Sequence, residues 1–288
     1  MPATTDSPTK VDCSLSALIF TLNEGPNIQH CLDSLEWCDD IVVVDSFSTD
    51  ETIELCKRRN IEVVQHTFSG FGTQRNWALT EIPLNHEWIL ILDADERVPR
   101  DLAVELDRLA KTSPDRIGAY RLKRRFYLWG KWLRFSSLYP TWVVRFVRRG
   151  RVRYVNRGHS ETQAVEGDLG EIKGYLIDEN HKSLEAWFER QSRYSRQEAK
   201  FEIEFEDSTG SWLDLVSTDP LRRRAFLKRI ASQLPFRGFL YFVYCYFLRR
   251  GFLDGKDGFV FCQMKALYQS MIAANKYDLK KKREIENV

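Results

Sequence analysis

No stretch of the 288-residue chain approaches the roughly 18 to 20 uncharged apolar residues that a membrane-spanning helix needs; the longest such run, Phe239 to Leu248, has ten. Met1 to Asp12 lacks the apolar centre of a signal peptide, so the chain is expected to begin and stay on the cytosolic side. Cysteine is sparse. The six residues (Cys13, Cys31, Cys38, Cys56, Cys245 and Cys262) include no C-x-x-C pair and have no His-rich neighbourhood, which argues against a zinc site. A cytosolic chain of this size needs no disulfide staples, so the cysteines read as packing residues. Neither G-x-G-x-x-G nor G-x-x-x-x-G-K-[ST] occurs, so any phosphate must be met without the usual dinucleotide and P-loop cradles. What is present, 43% hydrophobic, 29% charged and 13% aromatic residues, describes a folded chain of one large domain or two ordinary ones.

The net charge of +2 conceals a segregated distribution. Tyr120 to Arg157 holds twelve Lys and Arg and no acid, Asp219 to Arg250 holds eight against Asp219 alone, and the remainder is strongly acidic. Two basic segments on an acidic protein call for an anionic partner: nucleic acid, phospholipid or a phosphate-bearing small molecule.

In the first half, Ser16 to Thr21, Asp40 to Asp45, Ile61 to Gln65 and Trp88 to Leu92 read as apolar strands. Helical patterns reaching Leu35, running from a Ser48-Thr-Asp-Glu51 capping box to about Arg59, and covering Gln74 to Thr80 separate them. Apolar strands alternating with helices predict an α/β domain with a mainly parallel sheet covered on both faces. Ligands of such sheets bind beyond the carboxyl ends of the strands. There the chain places Thr21, Asn23 and Glu24, then Asp45, then Asp93 and Asp95. Two carboxylates at i and i+2 leaving a buried strand suit a hard divalent cation that neutralises a pyrophosphate. An isolated D-x-D is more often a solvated loop or a helix cap, and its place at the strand end is what raises it above that.

Leu22-Asn-Glu24, Val43-Val-Asp-Ser-Phe-Ser-Thr-Asp-Glu-Thr52, Gly72-Thr-Gln-Arg-Asn-Trp-Ala-Leu79 and Leu92-Asp-Ala-Asp-Glu96, in this order, resemble the family-two glycosyltransferases of the GT-A (Rossmann-like) fold. The subgroup of lipopolysaccharide-core β-glucosyltransferases is the most similar, over about residues 15 to 277. The resemblance implies a nucleotide-sugar donor, with Thr21, Asn23, Glu24 and Asp45 lining the nucleoside site and Asp93 holding the sugar nucleotide. It further implies Asp95 on a divalent cation, Mg2+ or Mn2+, and Arg75 and Asn76 near the donor; on its own Arg75 reads equally as a surface helix residue.

Trp142 to Val147 and Arg151 to Val155 read as a hairpin, with Arg145 as a diphosphate contact, and Gly158-His-Ser-Glu161 follows. The resembling subgroup carries a His-Glu element at this place. Inverting transfer needs a base for the acceptor hydroxyl, for which Glu161 is the first candidate and His159 the second. His159 and His181, in Asp178-Glu-Asn-His-Lys182, are alternatively contacts for metal or diphosphate, or plain strand-end histidines.

Ser183 to Glu206 reads as a helix with a packing seam of Trp187, Tyr194 and Phe201. Arg222, Arg223, Arg224, Lys228, Arg229 and Arg237 flank the aromatic block Phe236 to Phe247, which reads either as an interfacial element on anionic lipid or as a core helix with a basic face. Lys280 to Arg283 reads as a frayed end. The expected division is a flexible 1–14, a nucleotide-sugar-binding and catalytic domain over 15–182, and a helical, basic and aromatic extension over 183–288.

The resemblance implies an inverting, metal-dependent hexosyltransferase. It would work peripherally on the inner face of the cytoplasmic membrane, carrying sugar from a UDP-sugar to a lipid-linked or lipopolysaccharide-type saccharide, with no nucleic-acid partner. Two rivals stand against it. A sugar-1-phosphate nucleotidyltransferase would need a Gly-rich loop where Leu22-Asn-Glu-Gly-Pro26 stands, and a single-stranded nucleic-acid-binding protein would explain the basic segments but leave Asp45, Asp93 and Asp95 without a task.

Overall fold

The computed structural model describes residues 13–157, 160–206, 234 and 236–286. The strand and helix alternation is present: β1 (Leu15–Thr21), α1 (Gly25–Asp33), β2 (Ile41–Asp45), α2 (Thr52–Arg58), β3 (Glu62–Gln65), α3 (Phe71–Glu81) and β4 (Trp88–Asp93). Next in the chain come β5 (Glu96–Arg97), α4 (Arg100–Thr112), β6 (Ile117–Leu128), β7 (Lys131–Trp132), β8 (Thr141–Arg148), β9 (Val152–Arg157), β10 (Ser160–Val165) and β11 (Asp168–Glu179). The main sheet runs in the order β3-β2-β1-β4-β8-β6-β11-β5. The first four strands are parallel, β8 is antiparallel to β4 and β6, and β11 is parallel to β6 and antiparallel to β5.

Alternate side chains of a strand face opposite ways, and both faces here are apolar. Leu15, Ala17, Ile19, Val43, Leu90 and Leu92 pack with residues of α1, α2 and α4; Leu18, Phe20, Val42, Val44, Ile89 and Ile91 form a second core with Ala78 of α3. The mainly parallel sheet expected from the apolar runs is therefore the sheet that forms.

Three local expectations are corrected. The hairpin is replaced by two separate pairings: β8 enters the main sheet between β4 and β6, and β9 pairs with β10. Phe146 and Val147 are fully buried there, with Phe146 stacked on Trp88 at 4.7 Å, a burial that an edge strand would not supply. The capping box does not form, because the Ser48 backbone and hydroxyl both bond Asp45 while Asp50 accepts from Thr52 N at 3.0 Å. Lys280 to Arg283 stay helical, where Lys281 pairs with Glu284 at 2.7 Å and Lys282 with Asp278 at 2.8 Å.

The chain divides into two compact units: one up to Gly130 with Pro140–Val155 and Thr162–His181, the other Lys131–Tyr139, Asn156–Glu161 and the chain from Lys182. The second contains α5 (Leu184–Glu206), α6 (Arg237–Val243), a π-helical turn (Tyr244–Leu248), a 3-10 turn (Gly251–Asp254) and α7 (Gly255–Glu286). Its seam includes the expected Tyr194, which packs on the cluster of Ala199 with Tyr268 and Ile272 of α7, and Ser195, Ala199 and Ile203 of α5 are buried. Arg237, expected on a lipid-facing basic surface, points inward instead. It makes a forked bond to Glu202 at 2.8 and 2.9 Å and reaches Gln269 at 2.6 Å. Asp219, Arg222, Arg223, Arg224, Lys228 and Arg229 lie outside the described residues. No helix among those described is long and apolar enough to cross a membrane.

Candidate functional site

The carboxyl ends of β1, β2, β4 and β11 carry the polar groups of the first unit. β1 ends in Thr21, which is buried and whose hydroxyl makes no hydrogen bond among the described residues. Asn23 takes a left-handed backbone (φ 53°), a conformation that asparagine tolerates better than most residues. The loop after β1 is thereby laced to the loop after β2: Asn23 N donates to Ser48 Oγ at 2.7 Å, Thr49 N to Asn23 Oδ1 at 2.7 Å, and Glu24 N to Thr52 Oγ1 at 2.8 Å. Asp45 lies wholly inside, accepting from Ser48 N at 2.9 Å and Gln65 Nε2 at 3.2 Å. Thr21, Asn23, Glu24 and Asp45 thus lie on one rim, as their motif order implied.

The acidic turn after β4 is held from below by Glu96. This carboxylate is fully buried and accepts from Asp93 N at 3.0 Å, Arg145 Nη2 at 2.9 Å and Arg124 Nη1 at 3.5 Å. Arg75 meets Asp93 Oδ1 at 2.7 Å, and Arg145 bonds the other oxygen. Neither arginine is a surface residue, both being at most 5% exposed. Burial pushes the Asp93 carboxyl up, but Arg145, Arg75 and Arg124 together outweigh it and hold the group well below the usual carboxylate range.

Asp95 is tied to the end of β11: its carbonyl accepts from Glu179 N at 3.0 Å and its Oδ2 from Asn180 Nδ2 at 2.8 Å. The next residue, His181, donates its backbone N–H to Asn27 Oδ1 at 2.7 Å, and Asn27 Nδ2 donates to Glu24 at 2.6 Å. The His181 ring lies 4.8 Å from that of His30, and desolvation lowers its pKa while Glu179 opposes. His181 thereby joins the rim through the same α1 asparagine that contacts Glu24.

The remaining sequence candidates are Asn76, Glu161 and His159. Both polar atoms of the Asn76 amide engage the Tyr154 backbone at 2.8 Å each. Glu161 lies on β10 in the second unit, and His159 lies outside the described residues. Glu96, Arg124, Asp178 and Asn180 belong to no recognisable role in the sequence, yet they set the charge and orientation of the acidic turn. Burial pushes Asp178 up to about 7, opposed by Arg124 at 3.2 Å and aided by Asp95, Glu96 and Asp93.

Among the described residues no three His, Cys, Asp or Glu side chains converge as a ready-made metal cage. The donor set suits a hard cation that takes one protein carboxylate and completes its shell with diphosphate and water, as Mg2+ commonly does. Asp95 fits that part, whereas both Asp93 oxygens already face arginine.

Part of the first basic segment is neutralised by acids of the chain itself. Arg121 pairs with Glu171, Arg124 with Asp178, Arg145 with Asp93 and Glu96, and Arg148 with Asp115 at 3.1 Å. Neighbouring strands and loops supply the acids that the segment itself lacks.

The chain is 28% identical over 91% of its length to the lipopolysaccharide core biosynthesis glycosyltransferase LpsC of Rhizobium meliloti, covering 92% of that protein. It is 26% identical over 85% of its length to an uncharacterized glycosyltransferase of Rickettsia bellii, covering 80% of it. The crystal structure of S. aureus TarS 1-349 superposes with a TM-score of 0.40 at 16% identity, over 93% of this chain and 91% of that one, a likeness too slight to argue from. The sequence model of Glycosyl transferase family 2 matches residues 16–162, which span β1, the loop of Asp45, the Arg75 helix and the acidic turn. That match covers more than half of the chain, which therefore belongs to glycosyl transferase family 2.

Proposed function

We propose that this glycosyltransferase is an inverting, metal-dependent hexosyltransferase that moves a sugar from a UDP-sugar to a lipid-linked, lipopolysaccharide-type saccharide. The observation that supports it most is the rim itself: the nucleoside-side residues Thr21, Asn23, Glu24 and Asp45 and the acidic turn of Asp93 and Asp95 end neighbouring strands of one sheet. The Thr21 hydroxyl, buried without a partner among the described residues, is left to bond a ligand. Similarity to LpsC over nearly its whole length supports the acceptor class.

Asp45 takes the nucleoside end of the donor and Asp93, fixed by two arginines, takes the ribose. Because Arg75 and Arg145 are already bonded to Asp93, Asp95 would be the residue to hold a divalent cation, which would supply positive charge for a departing diphosphate. His181 stands beside Asn180 at the diphosphate end. Glu161 takes the proton of the acceptor hydroxyl as that oxygen attacks the anomeric carbon from the face opposite the leaving nucleoside diphosphate, with His159 as the alternative base. The enzyme works on the inner face of the cytoplasmic membrane, where lipid-linked acceptors present their saccharides.

A donor screen tests this. Nucleotide diphosphate release and thermal stabilisation are measured across nucleotide sugars with manganese, with magnesium and with EDTA. UDP-sugars should stabilise the protein only with a cation, and Asp95→Ala should lose turnover while keeping its melting temperature. Equal turnover in EDTA, or an active Asp95→Ala protein, overturns the metal role. Stabilisation by single-stranded oligonucleotides instead would return the function to nucleic-acid binding.

A further inference from the structure

The second unit exposes large apolar side chains along a short stretch of chain. Phe236, Phe239, Phe247, Leu248, Phe252 and Leu253 are between 46% and 82% exposed. Single exposed hydrophobics are ordinary, but a joined set is not. Phe247, Phe252 and Phe259 are joined through Tyr246, whose ring lies 5.1, 6.2 and 5.4 Å from theirs respectively. Beside these rings opens a groove of about 500 Å³ lined by Tyr246, Phe252, Gly255, Lys256, Phe259 and Val260.

The exposed charges on this stretch are mainly basic. Asp254 is buried, accepting from the backbone N–H groups of Arg134, Phe135 and Ser136, and Asp257 pairs with Lys131 at 3.3 Å. Arg237 is bonded to Glu202. Arg250 and Lys256 remain exposed, Lys256 in the groove wall.

We propose that this face docks on an anionic phospholipid bilayer, with an acyl chain entering the groove and the lipid phosphate meeting Lys256. Aromatic and leucine side chains flanked by cations are the composition that settles at headgroup depth on acidic lipid. A second copy of the chain would bring Arg250 and Lys256 against the same cations. The chain's own residues 207–233, with Arg222, Arg223, Arg224, Lys228 and Arg229 against Asp207, Asp214 and Asp219, carry a net charge of the same sign as Arg250 and Lys256. The inference deepens the membrane-side reading above. It is read by vesicle binding rather than by sugar transfer, so its failure leaves the transferase reading standing.

The full-length protein is co-sedimented with vesicles of phosphatidylcholine alone and of phosphatidylcholine mixed with phosphatidylglycerol, at low and high salt. Wild type should bind the mixed vesicles, more weakly at high salt, and the neutral ones much less. Phe247→Glu with Leu248→Glu, at exposed positions, should keep the melting temperature and lose roughly tenfold or more of the binding; Arg250→Glu with Lys256→Glu should lose a similar amount together with the salt dependence. Phe252→Trp should add fluorescence that lipid brominated on its acyl chains quenches. Undiminished binding of the Phe247/Leu248 variant, or no quenching of the added tryptophan, overturns the proposal. So does concentration-dependent dimerisation that this variant abolishes, which would give the face to a second copy. A double variant that melts earlier while wild type ignores acidic vesicles would mean that the chain covers the face itself, and also overturns it.

Discussion

Arg145 Nη2 lies 2.9 Å from Glu96 Oε1 and bonds Asp93 with the same nitrogen, so one buried guanidinium joins the first and last residues of the acidic turn. Glu96 has no exposed surface, and its other oxygen accepts the Asp93 backbone N–H. The turn is therefore rigid from beneath, and Asp95 projects from a braced frame.

Arg145→Met removes the shared cation and leaves two carboxylates facing each other. Breaking a buried pair in this way costs about 3–5 kcal/mol, which urea denaturation would register as a lower midpoint. Arg145→Lys, which keeps the charge but not the fork, should lose less. A Met variant as stable as wild type would mean that the turn stands without its bridge.

Asn76 fastens α3 to β9 through both its amide atoms. Asn76→Ala leaves the Tyr154 N–H and C=O without that partner, a loss of about 1–3 kcal/mol. Hydrogen exchange at Tyr154 should accelerate in the variant while UDP affinity changes little. A variant that keeps its stability but loses donor binding would instead place Asn76 at the donor.

Asp178 makes stability depend on pH in a defined direction. Its folded pKa, about 7, lies above the unfolded value near 4, so the folded state holds the proton more tightly. The favourable contribution is complete below about pH 4, declines as pH rises to about 7 and is flat beyond. Asp178→Asn cannot titrate. Wild type should therefore lose stability relative to the variant by on the order of a few kcal/mol across that window, seen as diverging melting temperatures. Parallel curves from pH 4 to 8 would show that Asp178 stays ionised.

Glu161→Gln keeps the side chain's shape and removes its basicity. Transfer should fall by roughly two orders of magnitude or more with donor affinity nearly unchanged. A variant with weak donor binding and normal turnover at saturation moves Glu161 to the donor and leaves His159 as the base.

The parallel core was legible because β1, β2 and β4 are nearly uninterrupted apolar runs bounded by polar loops, and burial on both faces demands such runs. The rim residues were legible for the same reason, since they occupy the positions directly after each run. β8 was not, because its Thr141 to Arg148 run, apolar but broken by Arg145, fits a hairpin as well as an inner strand. Phe146 and Val147 decide between them only when Trp88 and Ala119 are present to pack against.

By itself the sequence determined which strand ends carry acids and in what order, since that information is local and period-bound. Only the tertiary structure decided which cations those acids face. Arg75, Arg124 and Arg145 come from a helix and two strands distant along the chain, and Asn180 reaches Asp95 from 85 residues away. Linear spacing carries no trace of such pairings, because a buried charge takes its partner from whatever element packs beside it. Arg237 illustrates the same physics in the second unit: beside an aromatic block it reads as a lipid-facing cation, and α5 supplies Glu202 to turn it inward.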